Sequence, residues 1–262
     1  MHAPDPVAFS ILGVEIRWYG LLIGLGFILA IIISYIKAPR YKINSEHFLD
    51  FCIWLIPFSV LGARLYYVIF KWEDYAGDIK TIINVRNGGL AIHGGIIAGI
   101  IVAILVCKHH RIAFFDLADL TFPQVALAQA IGRWGNFFNS EAHGGPTDLP
   151  WGIIVEGQKV HPTFLYESIW CLAIFLILTF IFKNRKFKGQ IFLLYLILYS
   201  FERFFVEGLR TDSLMIGPFR QAQVLSIAVF AASIIAYIYI SKKHITSKST
   251  SNAEAEDNIK GE

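Results

Sequence analysis

Two arginines lie in segments that are otherwise strongly apolar, and their chemistry points to an anion. Arg133 lies in GRWGNFFNSEAHGG (132–145), and Arg203 lies in YSFERFFVEGLR (199–210). An arginine stays charged at any working pH and presents five N–H donors in a planar fork, which suits a phosphate better than a lone carboxylate. Charged side chains inside membrane helices are rare and usually functional. We therefore predict that these two arginines bind a phosphate group.

The second segment places several polar side chains on one helical face. Tyr199, Arg203 and Glu207 are spaced four residues apart, and Arg210 follows nearly one turn later. Residues at this spacing lie on the same side of a helix and contact each other. A purely structural ion pair between Arg203 and Glu207 is the alternative interpretation. The presence of Arg133 at the same expected depth favours a functional site.

His93 and Tyr19 are further candidates for chemistry. His93 lies in AIHGGIIAG, where the glycines remove side chains beside the imidazole and allow a ligand or another chain to approach. Histidine exchanges protons near neutral pH, so His93 is our candidate general base. The alternatives are a hydrogen-bonding His at a helix end and, for Tyr19 in RWYG, a residue of the aromatic belt at the membrane surface.

Other patterns carry less weight. His143 and Asp148 form an HxxxxD spacing, as in glycerolipid acyltransferases, but such a short motif occurs by chance and lies here in a turn-rich loop. The three cysteines, Cys52, Cys107 and Cys171, fall in apolar segments without metal-ligand spacing and are expected to be small buried hydrophobic residues. We predict neither a metal site nor a cofactor, and any reacting thiol must come from the substrate.

The elements that carry these residues are membrane helices. Hydrophobic residues make up 55% of the 262 residues and charged residues only 16%, which is too apolar for a soluble domain of this length. Crossing the hydrocarbon core takes about 20 helical residues. Seven apolar segments are long enough: 18–36, 48–70, 90–107, 114–133, 163–182, 190–207 and 221–240. The expected fold is an all-α integral membrane protein with seven transmembrane helices.

The basic residues predict the orientation of these helices. Lys and Arg cluster after the first, third, fifth and seventh segments, so the positive-inside rule places the N-terminus outside and the C-terminus in the cytoplasm. Residues 1–240 form one membrane domain, in which the Gly- and Pro-rich stretch 134–162 is expected to be a small irregular or β-rich extracytoplasmic cap. The polar residues 241–262 are expected to be a disordered tail. The scattered basic residues do not indicate a nucleic-acid partner.

Several ordered motifs together resemble the bacterial prolipoprotein diacylglyceryl transferases. The resemblance extends from about residue 15 to residue 240, in the family's order and near its spacing, and is therefore more specific than any single motif. The motifs are the two segments that contain Arg133 and Arg203, together with RWYGL (17–21), AIHGG (91–95) and HPTFLYE (161–167).

The resemblance implies an enzyme of the bacterial cytoplasmic (inner) membrane. Such an enzyme transfers the diacylglyceryl group of phosphatidylglycerol to the thiol of the lipobox cysteine in a prolipoprotein signal peptide, and releases glycerol phosphate. Carried over position by position, the resemblance implies functional roles for a set of residues in this chain: Tyr19, His93, Arg133, Asn136, Glu141, Gly144, Tyr199, Arg203, Glu207 and Arg210.

The expected roles follow from this chemistry. His93 would take the thiol proton, and the two arginines would stabilise the charge that develops on the leaving phosphate. Asn136, Asn139 and Glu141 would orient the arginines and the glycerol hydroxyls. The alternatives are a seven-span anion or lipid transporter and a membrane glycerolipid acyltransferase that uses His143 and Asp148. Polar residues through the full depth of several helices, or broken helices in paired halves, would favour the transporter.

Overall fold

The structure is a computed structural model that describes residues 5–77, 79–85 and 88–260. A helix lies at each of the seven predicted segments, and two short helices lie between the second and third of them. The helices are α1 (Trp18–Lys37), α2 (Ser45–Phe70), α3 (Trp72–Tyr75), α4 (Ile79–Ile83), α5 (Ile92–His110), α6 (Phe114–Phe138), α7 (Thr163–Phe182), α8 (Gln190–Leu209) and α9 (Gln221–Lys260).

Five of these helices are long and apolar enough to cross a membrane: α1, α2, α5, α7 and α9. The other two long helices, α6 and α8, are more polar and less clearly membrane-spanning by composition. Arg133 lies in α6, and Glu202, Arg203 and Glu207 lie in α8. The helices that are least apolar are therefore those that carry the candidate chemistry.

The chain divides into two compact units, of which one comprises residues Ile31–Leu120. Within it α2 and α5 cross at two glycines, because a Cβ added to Gly94 would overlap the carbonyl oxygen of Gly62. The neighbouring Gly95 lies near the carbonyl oxygen of Ser59. The glycines beside His93 were expected to let a ligand or another chain segment approach. One of them, Gly94, makes room for the backbone of α2.

Arg64 of α2 has a structural role in this unit. Its guanidinium donates to the carbonyl oxygens of Ile82 (2.8 Å), Thr81 (2.6 Å), Gly88 (3.0 Å) and Gly89 (2.8 Å). It also lies 4.9 Å from the ring centre of Tyr75. Because these contacts tie the segment between α2 and α5 to α2, they explain a buried charge without a ligand.

The other unit contains residues up to Ala30 and from Thr121 onward, where α1 and α6 pack in opposite directions. Gly26 lies against the backbone of Ala128, Gly132 against Ile23 and Gly135 against the ring of Tyr19. Small residues allow such close helix packing without a hydrophobic driving force between helices in lipid. This packing places the N-terminal end of α1 beside the C-terminal end of α6.

A small cap lies at the C-terminal end of α6. The strands β1 (Val7–Ile11) and β2 (Val14–Arg17) form an N-terminal hairpin, and β3 (Ile153–Val155) and β4 (Gln158–Val160) form the hairpin of the cap. The apolar residues of the cap hairpin form a buried core with Phe137 of α6 and Phe164 of α7, whose rings stack 4.8 Å apart. The helix therefore continues past the predicted end at 133 because Phe137 packs into the cap.

The C-terminal segment contains a short hairpin and the last helix. The strands β5 (Met215–Ile216) and β6 (Phe219–Arg220) precede α9, which continues as one helix to Lys260. Polar composition led to the prediction of disorder from residue 241. The disorder expected for residues 241–262 stays a prediction.

Candidate active site

A single carboxylate joins the two candidate arginines. Glu167 of α7 is fully buried, and its Oε1 accepts a 2.9 Å hydrogen bond from Nη1 of Arg203 in α8. The same oxygen lies 3.1 Å from Nη2 of Arg133 in α6. Two guanidinium groups 70 residues apart in sequence thus meet at one atom, and they do so because three helices place their charged residues at the same level.

Arg203 also contacts the carboxylate expected from its helical spacing. Its Nη2 donates to Oε2 of Glu207, one turn later in α8. Arg220 of β6 donates to the main-chain carbonyl of Glu207, which fixes the C-terminal turn of α8. The guanidinium of Arg203 is therefore held between carboxylates on two helices, and its orientation is fixed before any ligand binds.

The arginines retain donors beyond those used in these contacts. Among the described residues, Arg133 makes its polar contacts through Nη2, with Glu167 and with the hydroxyl of Tyr199 at 3.4 Å. A guanidinium has five N–H donors, so Nε and Nη1 of Arg133 remain for a ligand. The side chains of Arg133 and Arg203 are 20% and 19% exposed, whereas that of Glu167 is 1% exposed. The accessible part of the cluster is therefore its positive part.

Two buried carboxyl groups in this cluster have atoms without a hydrogen-bond partner in the described part of the chain. They are Oε2 of Glu167 and both oxygens of Glu202, whose side chain is also buried in α8. Glu202 lies within electrostatic range of Glu167, Arg133 and Arg203. An unpartnered buried polar group is costly, which is why such groups concentrate at functional sites rather than in ordinary cores.

A layer of polar and aromatic side chains lies on the side of the arginines that faces away from the cap. The rings of Tyr195 and Tyr199 stack 5.6 Å apart, and the hydroxyl of Tyr195 donates to Oε1 of Gln129 at 2.8 Å. Ser168 accepts a 3.1 Å hydrogen bond from Nε1 of Trp134 and donates to the carbonyl oxygen of Ala130. These bonds connect α6, α7 and α8 and hold Arg133 between them.

The signature segment after Arg133 forms its own hydrogen-bonded turn. Oε1 of Glu141 accepts hydrogen bonds from the side-chain amides of Asn136 (3.0 Å) and Asn139 (3.4 Å). Ser140 and Ala142, on either side of Glu141, have φ angles of 54° and 56°, which are unusual for residues other than glycine. We expected these side chains to orient the arginines. Among the described residues, these three side chains form hydrogen bonds with one another, and their role in orienting the arginines stays a prediction.

Gly144 lies where three segments meet. It pairs with Arg210 as an isolated β-bridge, and a Cβ added to it would lie 2.7 Å from the Cβ of His161 and 3.1 Å from the carbonyl oxygen of Leu209. No larger residue fits between the cap and the end of α8. The glycine of the signature thus fixes the distance between the loop after α6 and the helix that carries Arg203.

Arg210 pairs with the carboxylate of Asp212. Its Nε and Nη2 donate to the two oxygens at 2.9 and 2.7 Å, a bidentate geometry. This hydrogen bonding lowers the pKa of Asp212 below its ordinary value. Arg210 therefore lies beside Gly144 at the end of α8 and is already paired in the structure.

Tyr19 and His93 lie in different units of the chain. Tyr19 is in the first turn of α1, where its ring packs on Gly135 of α6, two residues after Arg133. The neighbouring Trp18 stacks on Phe138 at 5.1 Å. His93 is exposed in the first turn of α5, and its ring centre lies 6.0 Å from that of Tyr66. The structure therefore places Tyr19 beside the signature helix and leaves His93 available to solvent or a ligand.

Sequence reasoning missed the central position of Glu167. It appeared only as the last residue of the HPTFLYE motif, and neither its spacing nor that motif identified the arginines as its partners. The acyltransferase alternative gains no geometric support, since no hydrogen bond in the described residues joins His143 to Asp148 and a ring nitrogen of His143 faces the carbonyl oxygen of Gly144 at 3.1 Å. Within the same residues, no cluster of three or more His, Cys, Asp or Glu side chains is arranged to hold a metal ion.

Comparison with known proteins yields one consistent family. The sequence model of the family described as prolipoprotein diacylglyceryl transferase matches residues 6–239. The phosphatidylglycerol–prolipoprotein diacylglyceryl transferase of Clostridioides difficile (strain 630) is 52% identical over 240 residues, which cover 92% of this chain and 97% of that protein. The enzymes of the same name from Finegoldia magna and Clostridium novyi are 52% and 49% identical, over 93% and 94% of this chain and 98% of each relative.

Proposed function

Since the chain belongs to the prolipoprotein diacylglyceryl transferase family, we propose that it transfers the diacylglyceryl group of phosphatidylglycerol to a cysteine thiol of a prolipoprotein. The main support for this proposal is that Arg133 and Arg203 both contact one buried carboxylate oxygen, Oε1 of Glu167. A pair of oriented guanidinium groups with accessible donors suits a lipid phosphate. The seven-helix sequence pattern is that of a protein embedded in the membrane that contains this lipid.

The reaction exchanges one bond for another. The thiol loses its proton, and the sulfur attacks the glycerol carbon that carries the phosphate. A C–S bond forms, the C–O bond to the phosphate breaks, and glycerol phosphate leaves with the electron pair of that bond. The thiol proton goes first to a general base and from there to the released phosphate or to water, so the products are a thioether and glycerol phosphate.

The arginine pair stabilises the phosphate as it leaves. Negative charge grows on the leaving oxygen as the C–O bond breaks, and donors already aimed at that position stabilise it without reorganising. Glu167 contacts both guanidinium groups and Glu207 contacts that of Arg203, which keeps the two planes in place. A bound phosphate would compete with Glu167 for the same donors.

The thiol requires a group that removes its proton. A free cysteine has a pKa of about 8.5, so most of it is unreactive thiol at neutral pH. We assign this step to His93, which lies exposed at the start of α5. Neither of the two buried glutamates with unpartnered oxygens is required for it, because histidine is the side chain best suited to exchange protons near neutral pH.

The proposal includes a position in the membrane. We propose that α6 and α8 cross the membrane together with the five clearly apolar helices, so that the protein has seven transmembrane helices. The N-terminus faces outward and the C-terminus faces the cytoplasm of a bacterial cell, as the basic loops predict. The lipobox cysteine of the prolipoprotein signal peptide then reaches the arginines from the outer leaflet, on the side of the cap.

Substitution of lysine for each arginine tests the proposal. In proteoliposomes that contain phosphatidylglycerol and a lipobox peptide, Arg133→Lys and Arg203→Lys are expected to slow diacylglyceryl transfer by about 100-fold or more, since a point charge does not replace an oriented fork. Arg40→Lys, at an exposed position remote in sequence from the site, is the control. Near-normal kinetics in both site variants, with the same folded fraction, would refute the phosphate role.

A further inference from the structure

The turn of the N-terminal hairpin contains a leucine whose side chain is not buried by the rest of the chain. Leu12 is 99% exposed, and its φ of 50° is a left-handed conformation that disfavours a bulky side chain. With Gly13, at φ 78°, it forms a two-residue hairpin turn in which asparagine or aspartate is the usual first residue. In water, Leu12 would combine an unfavourable backbone with an unburied apolar side chain.

The residues around Leu12 extend the same apolar surface. Phe9, Ile11 and Val14 are 47%, 55% and 50% exposed. No charged residue occurs between Pro6 and Val14. Asp5 and Arg17 lie at the base of the hairpin, and the exposed Glu15 pairs with Ser10 one residue from the apolar tip. The hairpin therefore has an apolar tip and a charged base, the polarity of a segment that enters a lipid interface.

The hairpin is attached to the end of a membrane span. β2 ends at Arg17 and α1 begins at Trp18, with no linker between them. The main-chain nitrogen of Trp18 donates to the carbonyl oxygen of Pro6 at 3.0 Å, which joins the base of the hairpin to the first turn of the helix. Trp18 and Tyr19 are aromatic residues of the kind that mark the boundary between lipid and water. The attachment holds the tip close to the headgroup region.

We propose that this hairpin is a membrane anchor that inserts Leu12, with Ile11 and Val14, into the leaflet at the N-terminal end of α1. The occupant of its apolar surface is then lipid. Insertion explains why a leucine occupies a strained turn position, since burial of the side chain in the acyl region offsets the cost of its backbone. The proposal concerns the lipid contact of the hairpin and does not depend on the transferase reaction.

The chain contains a matched control for this surface. The cap hairpin between β3 and β4 also turns through two residues with positive φ, Glu156 at 49° and Gly157 at 81°. Its first turn residue is exposed and charged where that of the N-terminal hairpin is apolar. The two tips therefore share a backbone geometry and differ in side-chain chemistry.

Fluorescent labelling of the two tips tests the anchor. Leu12→Cys and Glu156→Cys are labelled with an environment-sensitive probe in proteoliposomes, and the wild-type chain, whose three cysteines are buried, measures the background. The Leu12 probe is expected to be quenched several-fold more by acyl-chain quenchers than the Glu156 probe and less by aqueous iodide. Equal iodide quenching of the two tips would overturn the proposal.

Two other occupants give different results in the same assay. Protection of the Leu12 probe that appears only at high protein-to-lipid ratio would indicate a second copy of the chain. Protection that appears only with an added lipobox peptide would indicate peptide docking. Either result would replace lipid as the occupant and overturn the proposal.

A second variant separates the lipid contact of the Leu12 side chain from the stability of the turn. Leu12→Asn introduces the residue preferred at this turn position, so the hairpin itself should fold at least as well as in the wild type. With a probe at Ile11→Cys, this change is expected to reduce acyl-chain quenching several-fold while the melting temperature in detergent does not fall. Unchanged quenching in the double variant would show that Leu12 does not insert.

Discussion

Glu167→Gln tests the arrangement of the two arginines most sharply among single substitutions. It keeps an oxygen and the size of the side chain but removes the negative charge that Arg133 and Arg203 share. Removing one partner of a buried ion pair costs about 3–5 kcal/mol, because the remaining charge stays buried and unpaired. The two guanidinium groups are only about one-fifth exposed, so solvent cannot replace the lost contact.

The expected loss is large enough to measure by thermal unfolding in detergent. For a chain of this size, each kcal/mol shifts the melting temperature by about 2–4 °C, so Glu167→Gln should lower it by about 6–20 °C. Glu202→Gln is the matched control. It changes another buried carboxyl of the same cluster, one that has no hydrogen bond in the described residues to lose, so its effect should stay within about 1 kcal/mol.

Two results would refute this reasoning. A wild-type melting temperature in Glu167→Gln would mean that the carboxylate does not compensate the arginines. An equal decrease in Glu167→Gln and Glu202→Gln would mean that the loss of any buried carboxyl is costly here, whatever its partners. The exposed Glu156→Gln, expected within about 0.5 kcal/mol of wild type, checks for a nonspecific effect.

Three further predictions concern the other residues of the account. His93→Gln should bind lipid normally but react slowly, and raising the pH should partly restore its rate because more of the thiol is then ionised; an unchanged rate in the transfer assay would remove His93 from the chemistry. Arg64→Met should lower the free energy of unfolding by about 3 kcal/mol and expose the chain between α2 and α5 to protease, because four carbonyl oxygens lose a buried donor. Unchanged resistance of this variant to protease would contradict the structural role of Arg64. Gly94→Ala should lower the free energy of unfolding by about 1–3 kcal/mol, measured from the melting temperature, because the added Cβ overlaps the backbone of α2. Gly95→Ala should have a smaller effect, and a larger effect of Gly95→Ala than of Gly94→Ala would disprove the packing.

The location of the helices and one charged contact within a helix could be predicted from the sequence. All seven predicted segments contain helices, because apolar runs of this length leave few other structures for the backbone. The Arg203–Glu207 contact follows from the four-residue spacing within one helix. Local periodicity is sufficient for features that lie on a single element.

Contacts between distant segments could not be predicted in this way. Glu167 binds arginines 34 residues before it and 36 residues after it, and only the packing of three helices determines that they meet. For the same reason, Gly94 was interpreted through its neighbour His93, whereas its closest contacts come from α2. The N-terminal hairpin was missed because residues 7–17 precede the first predicted span and were assigned no structure of their own.

Product analysis tests the central claim most directly. Purified protein in vesicles is incubated with phosphatidylglycerol labelled in both the acyl and the headgroup moieties and with a lipobox peptide, and the products are identified by mass spectrometry. The expected product is a peptide that carries a diacylglyceryl thioether on cysteine, together with one released glycerol phosphate per modified peptide. A peptide that gains a single acyl chain without release of glycerol phosphate, or anion transport without any modified peptide, would contradict it.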